Sequence, residues 1–228
     1  MKNTVLALLG IALTSLSTSC LTSPEVDPQI AICPPPVEIL SQDTITTGSY
    51  RGMGINETAE RVYTAIQALQ QTEGLPYLNV VSNATSELTQ LQGRLPLYQY
   101  ILLDENQGTD AGVQLTLEAG VVTSIYLNSG QKLSQWPAKA DASVRLGDRA
   151  EDLYGKLVKV RAQKQYASKF ERIFLITKDL AKAYDPAMAQ SPQWYFAFKT
   201  AADQMEEIRV YWEAGQLRSI VVSRLKLP

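Results

Sequence analysis

The chain has no histidine, only two cysteines, and no run of like charge. Without histidine there is no imidazole base, no Ser-His-Asp arrangement and no His-containing zinc or copper site. Two cysteines cannot build an all-thiolate zinc site. Lys and Arg number 21 against 23 Asp and Glu, a net charge of -2. No basic stripe gathers among them, so nothing in the charge calls for nucleic acid. EF-hand patterns and Gly-rich phosphate loops are also missing.

Three carboxylate pairs remain: Asp104-Glu105, Glu151-Asp152 and Glu206-Glu207. Sequence neighbours point to opposite faces of a strand and sit about 100° apart on a helix, so neither geometry converges on a substrate. They read as solvated charge. Cys33, beside Pro34-Pro35-Pro36, has no basic neighbour to lower its thiol pKa and is no nucleophile. The expectation is a protein that is not an enzyme, with no catalytic residue, cofactor or metal.

What is present begins with a leader. Residues 1–20 carry Lys2, an apolar run from Thr4 to Leu16, and the ending Leu16-Ser17-Thr18-Ser19-Cys20. The apolar run has signal-peptide length and is too short for a permanent span. The ending resembles a bacterial lipobox, which implies that Cys20 becomes the lipidated first residue. Ser17-x-Ser19 also suits ordinary signal peptidase; the protein is then soluble in the periplasm or secreted, and Cys20 is left able to pair with Cys33. Loss of Lys2 leaves 20 basic against 23 acidic residues, so membrane attachment has to come from the lipid rather than from charge. Residues 21–47, with five prolines and few aromatics, read as an extended tether.

The remainder repeats itself. Ile55, Ala59, Val62, Ile66 and Leu69 have the spacing of an amphipathic helix, and so do Leu146, Ala150, Leu153, Leu157 and Val160 further on. Asp148 with Glu151 predicts a capping box for the second helix, and Asn56 a cap for the first. Pro96-x-Tyr98-x-Tyr100-x-Leu102 parallels Pro192-x-Trp194-x-Phe196-x-Phe198, and Val113-x-Leu115-x-Leu117 parallels Ile208-x-Val210-x-Trp212. Both copies then turn at Glu-Ala-Gly (118–120 and 213–215) into a further strand. Tyr77–Ser82 and Arg172–Thr177 are β-rich, with short helical segments expected near 86–91 and 179–183. The fold class predicted is α+β: two tandem modules, 48–135 and 140–228, each with one or two helices on one face of a 3–4-stranded antiparallel sheet. Lys132–Ser143 is the linker, with Trp136 packed at the junction.

This order resembles the small outer-membrane-assembly lipoproteins of the BamE (SmpA/OmlA) type, and in tandem is similar to β-lactamase inhibitor protein. The residues that carry the resemblance are Gly52-Met53 and Leu146-Gly147 before the helices, Gly74-Leu75-Pro76 after the first, Trp194-Tyr195-Phe196, and Glu213-Ala214-Gly215. It covers about 48–228, and the second copy reads Gln163-Lys164-Gln165-Tyr166 where the first has Gly-x-Pro. The resemblance implies a protein-binding role in the cell envelope, and Leu21 after Cys20, in place of the Asp that retains some bacterial lipoproteins at the inner membrane, points to the outer membrane facing the periplasm.

If Trp194 and Trp212 face the core, Tyr195, Arg209 and Tyr211 share the opposite face and form the candidate patch for an unidentified envelope protein. The same parity puts Gln99, Ile101, Leu103, Gln114 and Thr116 on the equivalent face of the first copy. An inhibitor of a hydrolase, presenting the loop Asp104–Gly112, is one alternative. A module holding a lipid or small ligand in an enclosed apolar cavity is another. The anchor is tested directly: labelled palmitate enters the native chain and not Cys20→Ala, and equal labelling of both removes the lipoprotein assignment.

Overall fold

Both long hairpins close on the same two-residue turn. Ala119 and Gly120 have φ of 49° and 78°, and Ala214 and Gly215 have 48° and 73°. Two successive left-handed residues make the turn whose twist matches that of the flanking strands. The alternation of apolar residues then decides which side of each hairpin is buried. In the second, Ile208, Val210 and Trp212 are buried while Glu207, Arg209 and Tyr211 are half-buried on the other side.

The computed structural model describes residues 37–75, 77–139 and 142–227. Strand β1 (Glu38–Ile45) and the short pair β2 (Ser49–Tyr50) and β3 (Met53–Gly54) precede helix α1 (Ala59–Glu73). β4 (Leu78–Val80) and β5 (Ala84–Thr85) come after it, then 3-10 turns at Leu88–Leu91 and Leu95–Leu97. Next come β6 (Tyr98–Asp104), β7 (Val113–Glu118) and β8 (Val121–Leu127). Short strands β9 (Lys132–Leu133), β10 (Gln135–Trp136) and β11 (Val144–Arg145) lead to α2 (Ala150–Arg161) and a 3-10 turn at Lys164–Phe170. The chain ends through β12 (Arg172–Lys178), a 3-10 turn at Pro186–Gln190, β13 (Gln193–Ala201), β14 (Gln204–Glu213) and β15 (Gln216–Lys226).

This corrects the predicted fold class. The protein is mostly β, with fifteen strands, and eleven of them join one antiparallel sheet in place of two separate 3–4-stranded sheets, each with its own helices. The order along the sheet is β1-β15-β14-β13-β4-β12-β6-β7-β8-β9, with β5 also on β12. β4, from the first half, lies against β13 of the second, and β12, from the second, lies against β6 of the first. β4 and β12 pair with each other at the centre, through Asn79 with Thr177 and Leu78 with Lys178.

The helices cross over in the same way. Entering α1, Asn56 N donates to Leu217 O at 2.8 Å, and Leu217 N donates to Glu57 O at 3.0 Å. At the start of α2, Ala150 N donates to Gly120 O at 2.8 Å, and Val122 N to Asp148 O at 2.9 Å. Each helix therefore begins on the hairpin of the other half. Of these bonds, the one from Ala150 N satisfies an end group of α2 that a side-chain cap was expected to serve. The N-cap residues are Thr58 and Arg149, neither with a side-chain cap bond, and Asn56 lies at φ 69° ahead of the first helix.

One core results. Val62, Tyr63, Ile66 and Leu69 of α1 share a cluster with Leu153, Leu157 and Val160 of α2 and with the inward residues of the sheet. Burying each large apolar side chain contributes roughly 1.5–3 kcal/mol. Leu146, expected on the second helix's apolar stripe, precedes that helix and is 41% exposed. Trp136 is buried against Tyr166 and Phe170, with ring centroids 5.8 and 6.2 Å away. The helical segment expected near 179–183 falls later, at Pro186–Gln190.

β6 departs from the predicted parity. Opposite it, β12 moves from Leu175–Ile101 to Thr177–Tyr100 and then to Lys178–Tyr98, so each strand carries one extra residue. A bulge of this kind swaps the faces of the residues beyond it. Ile101 and Leu103 are buried in the core, and Tyr100 and Leu102 take the outer face instead.

β1 is an edge strand, paired only with β15, with a break in register at Leu40 and with Ile39 64% exposed. Bulges and charge are common guards on such edges.

Because β6 and β13 each need a neighbour from the other half, residues 37–139 expressed alone are expected to give no folded monomer. Circular dichroism with sedimentation checks this; a cooperatively unfolding monomer would contradict the exchange.

Candidate functional site

A straight row of cross-strand partners crosses the face of the sheet turned away from the core. It runs Thr44, Val221, Arg209, Tyr195, Asn79, Thr177, Tyr100, Thr116, Ser124, each directly opposite the next. None of the nine is buried. Asn79 and Thr177 join side chains across the centre, Oγ1 to Oδ1 at 2.7 Å.

Of the residues singled out from sequence, Tyr195 and Arg209 are direct partners in this row, and Tyr211 stands two residues along β14 on the same side. Arg209 Nε donates to Glu207 Oε1 at 2.7 Å. Hydrogen bonding to Glu207 holds its pKa above the ordinary arginine value against a smaller effect of burial, and Tyr211 adds to it. Tyr77 joins the group: burial, then Tyr195 and Glu207 nearby, push its phenol up. Tyr77 also lines an open cleft of about 340 Å3 with Ala197, Lys199 and Met205. Three tyrosines, an oriented guanidinium and a neighbouring cleft on the sheet make a surface of the kind that protein partners recognise. Sequence parity missed Tyr77, which precedes its strand, and Tyr100, whose face depends on the bulges.

Two carboxylates expected to be solvated are buried. Asp104 is 1% exposed. It accepts from Glu105 N at 2.8 Å, Thr109 N at 3.1 Å, Thr109 Oγ1 at 2.9 Å and Asn128 Nδ2 at 3.0 Å. Burial pushes its pKa up, yet these bonds and Arg172 outweigh burial and hold the carboxyl below its usual value. The loop to Gly112 is pinned from inside: a Cβ at Gly112 would lie 2.7 Å from Asp104 Cγ. Glu206, also buried, accepts from Tyr50 Oη and Arg51 Nε, both at 2.9 Å.

Sequence reasoning did not foresee the cluster around Lys178. Its side chain is wholly buried, with Nζ donating to Asp179 O at 2.8 Å and lying 5.2 and 5.9 Å from the ring centroids of Tyr63 and Tyr98. Tyr98 Oη donates to Asp185 at 2.6 Å, and Arg94 pairs with the same carboxylate at 3.0 Å. Alternation from Ile173 and Leu175 leads to Thr177, and it is the extra residue in β12 that turns Lys178 inward. Burial lowers the lysine's pKa to about 8, partly offset by Asp179 and Asp185.

A substrate cannot reach a wholly buried amine, so the cluster acts on stability. Other open clefts lie between Leu88 and α2, about 400 Å3, and beside Trp212, about 380 Å3. A small polar one of about 60 Å3 sits at Asn83 and Arg94. None of these is an enclosed apolar cavity. Among the described residues no three His, Cys, Asp or Glu side chains converge on a metal position, and no helix is long and apolar enough to cross a membrane. Cys20 and Cys33 lie outside the described residues.

Between pH 8 and 10.5 the unfolded chain keeps a Lys178 proton that the folded chain has released, so raising the pH favours folding there. The gain is at most about 3 kcal/mol. Above pH 10 the sign reverses, because burial raises Tyr63, Tyr98 and Tyr184, the last to about 12, so these keep protons that the unfolded chain sheds. Urea midpoints are expected to rise from pH 8 to 10 and fall beyond; Lys178→Met removes the rise and keeps the fall.

Comparison of the chain with protein families, with curated proteins and with solved structures finds no match.

Proposed function

We propose that this is a non-catalytic, lipid-anchored protein of the bacterial envelope that offers its open sheet face to a protein partner, in outer-membrane assembly or maintenance. The observation that carries this is the patch of Tyr77, Tyr195, Arg209 and Tyr211 beside a cleft on an uncovered, rigid sheet. Tyrosine and arginine dominate binding energy at protein interfaces because they bring large area and directed hydrogen bonds at modest entropic cost. Glu207 fixes the guanidinium before any partner arrives, which reduces what must be ordered on binding. The leader ending in Cys20 supports the anchor, and the proline-rich stretch after it supplies reach.

A second reading, inhibition of a hydrolase, is favoured by the loop Asp104–Gly112. Its exposed tip, Asn106–Gly108, is carried on a frame held by the buried Asp104, and a pre-ordered loop is what an inhibitor needs.

In-cell cross-linking with mass spectrometry separates the two. Tyr195→Ala with Tyr211→Ala is expected to leave the far-ultraviolet spectrum intact and reduce recovery of the principal neighbour at least tenfold. Deleting 106–111 is expected to leave that recovery unchanged. The reverse pattern moves the function to the loop, and unchanged recovery with the double variant sinks the sheet-face proposal.

A further inference from the structure

The exchange places α1 and α2 in equivalent settings, and one difference between them leaves a groove. On α1, Tyr63 and Gln67 are covered by a strap of the chain's own residues. Tyr63 Oη donates to Lys182 O at 2.8 Å, and Gln67 Nε2 donates to Leu180 O at 2.9 Å and Lys182 O at 3.1 Å. The Tyr184 ring stacks at a tilt on Tyr63, centroids 5.5 Å apart. Six residues, Asp179 to Tyr184, thus seal one face of the helix with an aromatic ring and main-chain carbonyls.

On α2 the positions of Tyr63 and Gln67 are taken by Tyr154 and Val158. No strap covers them. The corresponding segment, around 84–89, is drawn off to the sheet, where Ala84 and Thr85 pair with Phe174 and Ile173, and Leu88 turns into the core. A groove of about 400 Å3 remains between Leu88, Thr89, Tyr154, Val158 and Arg161. Val158 is 41% exposed, and the Tyr154 hydroxyl has no hydrogen-bond partner among the described residues. Arg161, exposed at the groove's end, has no ion pair among the described residues. The size falls within the range, about 300 Å3 upward, of sites that hold a ligand group.

We propose that this groove docks a short segment of a partner protein that bears a tyrosine or phenylalanine flanked by a carboxylate, seated on α2 as Asp179–Tyr184 sits on α1. The aromatic ring packs on Tyr154 and Val158. A main-chain carbonyl of the segment accepts from Tyr154 Oη, as Lys182 O does from Tyr63, and the carboxylate meets Arg161. The site is on the helical side of the protein and is independent of the sheet-face patch.

The chain's own strap supplies the probe: a capped peptide Asp-Leu-Ala-Lys-Ala-Tyr-Asp, the sequence of residues 179–185, titrated into the full chain and followed by amide chemical shifts. Saturable shifts at Tyr154, Val158 and Ala162 are expected, with binding weakened at least tenfold when the peptide's tyrosine is alanine. Val158→Glu, at an exposed position, is expected to weaken binding similarly, and Val158→Gln, which restores the Gln67 arrangement, to tighten it severalfold. Absence of shifts up to millimolar peptide overturns the proposal. So do shifts confined to α1, where the peptide would merely compete with the native strap, and equal binding of the alanine peptide, which would reduce the contact to charge.

Discussion

The antiparallel pairing of β4 with β12 is the constraint on which the rest of the fold depends. It is short, two residue pairs, yet it sits where the two halves meet. Both of its strands have crossed to the far half, and each helix has crossed with its strand. The hydrophobic core is consequently shared, and neither set of hairpins has an inner neighbour without the other. Loss of this pairing would expose the inner edges of both β4 and β12. Unpaired inner edges are costly because their N–H and C=O groups lose partners and apolar area returns to water.

Buried charge is handled in two different ways. Asp104 and Glu206 are surrounded by donors, and at Asp104 these hydrogen bonds outweigh desolvation. Lys178 has one carbonyl and two aromatic faces, and these do not fully replace water. The two carboxylates fix a loop and a sheet end. The lysine is a standing penalty at neutral pH, near the central strands, in a place where a hydrophobic side chain of similar length would fit the surroundings better.

The elements themselves were legible in the chain. Period-two alternation in Ile208, Val210 and Trp212 marks a half-buried strand, the repeated Glu-Ala-Gly marks the hairpin turn, and Val62, Ile66 and Leu69 mark a helix stripe. Their partners were not legible. A stripe fitted to its own hairpin fits the equivalent hairpin of the other half equally well, so periodicity carries no information about which one it meets. Parity failed in β6 for a local reason: an extra residue in each of two paired strands leaves no mark in hydrophobic pattern. The face shared by Tyr195, Arg209 and Tyr211 could be read from simple alternation along regular strands. Tyr77 and Lys178 owe much of their settings to residues far away in the chain, Tyr195 and Glu207 for the first, Tyr63 and Tyr98 for the second.

The edge position of β1 has a mechanical side. β1 is the first described element, and it is held by a single neighbour with few apolar contacts of its own. Tension applied at Val37 and across the sheet reaches one backbone ladder first, at Glu38 opposite Lys226, and opens it pair by pair. Each pair resists with about 1 kcal/mol, far less than simultaneous rupture of a strand clamped on both sides. Under such a load β1 would peel away before β15, which is clamped on both sides.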